Sequence, residues 1–145
     1  MQILVTLHSL NRFVLLILLL VVIVKSLIGW LNKSPFEKAD DTLSLFLFIS
    51  THTQLLLGLI LFFVSPIVIF SGASMKDSVA RYWLVEHSTG MLIAIVIISM
   101  ARIQSKKLAD SSAKFKKLFT FNIAALAIIL ANIAMSHRGF FSVSW

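Results

Sequence analysis

The chain is 145 residues long, 59% hydrophobic and only 13% charged, with a mean hydropathy of +0.97. A water-soluble domain of this size leaves roughly a third of its unfolded surface in contact with solvent, so this much apolar area must face lipid. The net charge of +7 does not point to nucleic acid, because the basic residues crowd into loops beside apolar segments, and the lack of cysteine excludes disulfides, thiolate metal sites and c-type haem attachment.

A hydrocarbon core ~30 Å thick is crossed by ~20 apolar helical residues, and four segments meet that requirement. The first span is predicted over about 3–25, with Lys25 placed to snorkel and Trp30 as an interfacial anchor. No basic region precedes it and no small-residue cleavage site follows it, so it reads as a retained span rather than a signal peptide. The second is predicted over about 43–65. Asp40 and Asp41 suit its N-terminus, and Pro66 closes it because proline cannot continue a hydrogen-bonded helix. A long connection follows, and its end, MKDSVARYW, can extend the third span backwards. That span is predicted over about 82–102 and opens on the aromatic pair Tyr82 and Trp83. The fourth covers about 118–136, with His137, Arg138 and Gly139 behind it.

Lysine and arginine placement sets the expected orientation. Lys33 and Lys38 lie between spans one and two, and Arg102, Lys106, Lys107, Lys114, Lys116 and Lys117 lie between spans three and four. The opposite side carries only Lys76, Arg81 and Arg138. By the positive-inside rule the first set is cytoplasmic. The expectation is therefore an all-α, integral membrane, up-and-down four-helix bundle with both termini extracytoplasmic, one domain over 1–145, multi-pass in the bacterial inner (cytoplasmic) membrane.

Ionisable groups within a span are costly and face the bundle interior, where each needs a partner. Span one has His8 and Arg12, four residues apart on one helical face; span two has His52, beside Thr51, Thr53 and Gln54; span three has Glu86 and His87; and span four has the polar Asn122 and Asn132. With the midplane near Val14 and Leu92, a ~1.5 Å rise per residue places His8 and His87 about 9 and 8 Å outward of it, nearly level. His52 falls about 3 Å inward of a midplane at Gln54. Two histidines level on different helices are what a bis-histidine haem b requires. Its propionates need cationic company, which Arg12, Arg81 and Arg138 can supply. Gly58, Gly90, Ala94 and the row Ala124, Ala127, Ala131 and Ala134 offer room for a ring or for close helix packing. Glu86 reads either as a neutralising partner of Arg12 or as a group that handles protons or propionates. His137 reads as a solvated residue at the outer boundary.

Three stretches, LHSLNRF in span one, THTQLLLGLILFFVSP in span two and RYWLVEHSTGMLIAI in span three, followed by a basic loop, carry a resemblance. Across most of its length the chain resembles a family of small four-span bacterial membrane proteins of cytochrome B-like type. The resemblance implies haem b binding and electron transfer in the membrane, and by residue it carries over to His8, Arg12, His52, Glu86 and His87.

The leading expectation is a haem b protein relaying single electrons from a membrane donor such as a quinol to an outer-side acceptor or partner subunit. His8 and His87 are the expected axial ligands of the haem iron, Arg12 stands near the haem edge or propionates, and His52 competes for either ligand position or borders a quinone pocket. A second reading is a non-haem copper or zinc site built from His8, His52, His87 and Glu86. A third is a non-catalytic scaffold subunit of a larger membrane assembly. No nucleophile with a base, phosphate loop or pair of carboxylates marks an enzyme in the strict sense.

Overall fold

The computed structural model describes residues 1–142. Helix α1 spans Gln2–Leu31, α2 Lys38–Val64, α3 Ser78–Lys106 and α4 Ser111–Met135, and each is long and apolar enough to cross a membrane. Among the described residues there is no strand, and a short 3-10 turn, Gly72–Lys76, precedes α3. The single-domain expectation extends three residues beyond this description, since 143–145 lie outside it.

The helices run past the apolar segments at several ends because dedicated caps start them in polar sequence. Glu37 opens α2 with a capping box: its side chain accepts from the backbone of the third residue, Asp40, while the Asp40 carboxylate accepts from Glu37 N–H at 2.9 Å. Asp77 opens α3 by accepting from the N–H groups of Val79 and Ala80 at 2.9 and 2.8 Å. The segment MKDSVARYW thus joins the helix from Ser78 onward, with Met75 and Lys76 left in the preceding turn. Asp110 opens α4 through Ala113 N–H at 2.9 Å. Helix α2 stops at Val64, two residues before Pro66.

Each helix packs on its chain neighbours, and α4 returns to α1, so the four form a closed ring with α1 and α3 facing each other across the centre. The N-terminus, the connection 65–77 and the end of α4 gather at one end of the bundle. The connections 32–37 and 107–110 lie at the other, with Lys38, Arg102, Lys106, Lys114, Lys116 and Lys117 on the flanking helix ends. Towards that basic end the interior is apolar: Leu15, Leu19, Leu47, Ala94, Ile98, Ala125 and Ile129 form a continuous core. The few charges there are matched. Arg102, 8% exposed, donates to the Asp41 carbonyl, the Asp41 carboxylate and Ser44 Oγ at 3.1, 3.3 and 2.9 Å, and Lys25 pairs with Asp40 at 3.1 Å.

The outside of the ring is as apolar as the inside. Ile3, Ile17, Leu56, Phe63 and Val96 are among many large hydrophobic side chains turned outward, an arrangement that suits lipid and not water. The alanine row of α4 lies on this outer face; the alanine that packs inside is Ala125.

Candidate functional site

Above the apolar core, towards the end that holds both termini, the bundle encloses a cavity of about 260 Å³ with walls from all four helices. His8 and Arg12 of α1, Gln54 and Gly58 of α2, Tyr82 and His87 of α3 and Ile133 of α4 line it. His8 and His87, expected to be level, therefore face one interior space from helices on opposite sides of the ring.

Gln54 and Asn11 hold the ring of His8. Ser50 Oγ donates to Asn11 Oδ1 at 3.2 Å, and Asn11 Nδ2 donates to the Ser50 carbonyl at 2.9 Å and to Gln54 Oε1 at 2.8 Å. That fixes the amide of Gln54, whose nitrogen donates to the His8 carbonyl at 3.0 Å and to His8 Nε2 at 3.3 Å. The other ring nitrogen, Nδ1, is buried with no hydrogen-bond partner. Beside it Gly58 lets the ring lie close to the α2 backbone: a Cβ there would stand 3.3 Å from His8 Cε1 and press on the ring. A buried nitrogen without a partner costs about 1–3 kcal/mol and marks a place where something polar can bind.

His87 owes its setting to a break in helical geometry. Tyr82–Glu86 form one π-helical turn inside α3, closed by the His87 N–H on the Tyr82 carbonyl. Residues five apart then share a face, so Tyr82 Oη lies 3.4 Å from His87 Nδ1 and Arg81 Nε lies 2.7 Å from Glu86 Oε1. Asn132 of α4 supports the turn. Its Nδ2 donates to the Glu86 carbonyl at 3.1 Å, while its backbone carbonyl and Oδ1 accept from Tyr82 Oη at 2.7 and 3.1 Å. Gly90 makes this approach possible, because a Cβ there would lie 2.0 Å from Asn132 Nδ2.

Residues beyond α4 stand at the mouth of the cavity. Arg12 donates through Nη2 to the carbonyls of Phe140 and Ser142, and its Nε is buried without a partner. Phe141 stacks on Phe13 with centroids 6.3 Å apart, and Arg138 lies over the ring of Trp83 at 4.9 Å. Ser136, Arg138 and Ser142 line the cavity with Arg12, so two guanidinium groups stand at this end.

The other candidates lie elsewhere. His52 is exposed on the outer face of α2, where its Nδ1 bonds the Phe48 carbonyl at 2.8 Å and its ring lies tilted against that of Phe48. Glu86 pairs with Arg81 rather than with Arg12 and is not part of the cavity wall. His137 is exposed in a left-handed backbone conformation just past α4, with φ of 55°. Among the described residues no group of three or more His, Asp or Glu side chains comes together as a metal-holding cluster. Gln54, Tyr82 and Asn132 are visible in the sequence as polar residues of the spans, but sequence reasoning assigned them no part in the site. Each carries a polar group in an apolar span, and that was the available signal. Compared with family models, characterised proteins and solved structures, the chain shows no significant match.

Proposed function

We propose that this is a multi-pass protein of the bacterial inner membrane, of the cytochrome B-like type, that holds haem b between His8 and His87 and relays electrons between a membrane donor and a partner on the side of the termini. The observation that carries the reading is the interior cavity that these two histidines share, with two arginines at one end of it. The residues fit the group on two counts. His8 and His87 face one cavity from opposite helices with imidazoles that could serve an iron, and Arg12 keeps a buried Nε–H to offer a carboxylate.

Bound haem supplies reversible one-electron chemistry at its iron. The chain's own part is to present two neutral imidazoles and to keep water away with Leu15, Met91 and Ile133. Arg12 and Arg138 stand at the end of the cavity where they would hold propionates, and their positive charge would favour the reduced state of a redox group bound there. The orientation is read from Lys33, Lys106, Lys107, Lys114, Lys116 and Lys117 in and around the connections of the opposite end, which by charge belong in the cytoplasm.

The test is purification in detergent from cells supplied with ample haem. Reduced-minus-oxidised spectra with a Soret and an α-band, both lost in His8→Ala and His87→Ala, support the reading; a colourless protein overturns it. Orientation has its own test, since the chain lacks cysteine. Ser71→Cys in whole cells is expected to react with an impermeant maleimide while Ser34→Cys is protected, and the reverse pattern overturns the assigned topology.

A further inference from the structure

We infer that Tyr82 and Asn132 are positioning residues that fix the tautomer of His87, through a directed chain running from His87 Nδ1–H to the phenol oxygen of Tyr82 and from the phenol O–H to Asn132. The phenol has a single proton, and its short contacts, 2.7 Å to the Asn132 carbonyl and 3.1 Å to Asn132 Oδ1, are both to oxygens that can only accept. The proton is therefore spent on Asn132. What remains for His87 Nδ1, 3.4 Å away, is a lone pair on the phenol oxygen, so Nδ1 must be the nitrogen that carries hydrogen. In a neutral imidazole that leaves the lone pair on Nε2.

The surroundings hold this chain in one direction. Tyr82 is 5% exposed and Asn132 6%, so both groups are withdrawn from bulk solvent. Asn132 cannot turn its amide over, because its Nδ2 is committed to the Glu86 carbonyl at 3.1 Å, and reversal would set two oxygens against each other. The π turn places Tyr82 and His87 on the same face although they are five residues apart. Gly90 admits the amide that supports that turn. The outcome is an imidazole prepared as a ligand: one nitrogen bound to a second shell, as ligating histidines generally are, and the other free to donate a lone pair. This inference rests on the haem reading for what Nε2 meets, but the tautomer itself can be measured without haem.

The experiment is long-range ¹H–¹⁵N correlation NMR of the full chain in detergent micelles, haem-free, with His87 assigned by comparison with His87→Ala. The expected result is a single neutral tautomer with the proton on Nδ1. Tyr82→Phe, which removes the phenol oxygen alone, is expected to give a mixture of both tautomers. A proton on Nε2 in the unmodified protein overturns the proposal, as does an unchanged single Nδ1–H tautomer in Tyr82→Phe. Should Tyr82→Phe not fold, the unmodified chain still decides through its own tautomer, and Asn132→Asp supplies the second arm by placing an acceptor where the amide nitrogen stood. Both of its oxygens can only accept and the backbone carbonyl at 2.7 Å is unchanged, so that variant is expected to keep the single Nδ1–H tautomer, and a proton on Nε2 in it overturns the proposal. Absence of a Soret band in haem-supplied protein would sink the cytochrome reading and leave this measurement standing, so the two failures are distinguishable.

Discussion

Gln54 of α2 holds His8 of α1 at two points, its amide nitrogen lying 3.0 Å from the His8 carbonyl and 3.3 Å from Nε2. The second contact occupies the lone pair of His8 and leaves Nδ1 as the nitrogen without a partner. A ligand that takes Nε2 must first displace this amide, and a hydrogen bond of that kind is worth about 1 kcal/mol net. Gln54→Leu removes the competitor and nearly conserves volume. Haem affinity, measured by absorbance titration of the haem-free protein, is expected to rise about fivefold. A fall in affinity would mean that Gln54 orients His8 for ligation rather than competing for it.

Gly90 and Asn132 form a matched pair. A methyl group at position 90 would lie 2.0 Å from Asn132 Nδ2, so Gly90→Ala forces the amide away from the Glu86 carbonyl and from Tyr82. Overpacking and two broken buried hydrogen bonds together cost about 2–4 kcal/mol. In Gly90→Ala combined with Asn132→Ala the clash disappears and only the lost bonds remain, so the double variant is expected to be more stable than the sum of the two single changes by at least about 1 kcal/mol. Thermal or denaturant unfolding in detergent gives the four values, and strict additivity would deny the contact.

How far the sequence could lead is clear from particular residues. The four helices follow from apolar runs long enough for a bilayer, and counting 1.5 Å per residue led to the expectation that His8 and His87, which both line the cavity, are level. What could not be read is which face of a helix turns inward when apolar residues surround it. His52 and Gln54 are two residues apart, hence on nearly opposite faces, and nothing in THTQLLLG marks which is inside. The more conspicuous histidine lies outside and the glutamine lies within. Glu86 was misplaced for another reason. An ordinary helix would not align it with Arg81, and the π turn that does so has no sequence signature. The hold of Arg12 on Phe140 and Ser142 joins residues nearly a chain length apart, beyond any local pattern.

The outward position of His52 gives a direct contrast with the two cavity histidines. Its Nδ1 is satisfied by the Phe48 carbonyl of its own helix, and the ring lies on Phe48 at a centroid distance of 4.1 Å. His52→Leu removes an exposed polar ring from an apolar face and leaves the cavity wall intact. Its haem spectrum and stoichiometry are expected to match the unmodified protein, with stability changed by no more than about 0.5 kcal/mol. Loss of the bands in this variant would place a ligand on the outer face of α2 and exclude the pairing of His8 with His87.

Arg12 ties the segment after α4 to the mouth of the cavity by bonds from one guanidinium nitrogen to two backbone carbonyls, Phe140 and Ser142. Hydrogen bonds to a charged group contribute about 1.5–3 kcal/mol, so Arg12→Gln is expected to raise opening of the tail at least tenfold. The Ser142 N–H, which donates to the Gly139 carbonyl at 3.1 Å, reports this through faster hydrogen–deuterium exchange. Haem loading of the unmodified protein should act in the same direction, because a propionate competes with those carbonyls for the same guanidinium and, being charged, displaces them. Faster exchange on loading, abolished in Arg12→Gln because the tail is already free, is the result that joins Arg12, the tail and the propionate in one site. Slower exchange on loading would show that the tail closes over the bound group and that Arg12 keeps its hold on the carbonyls.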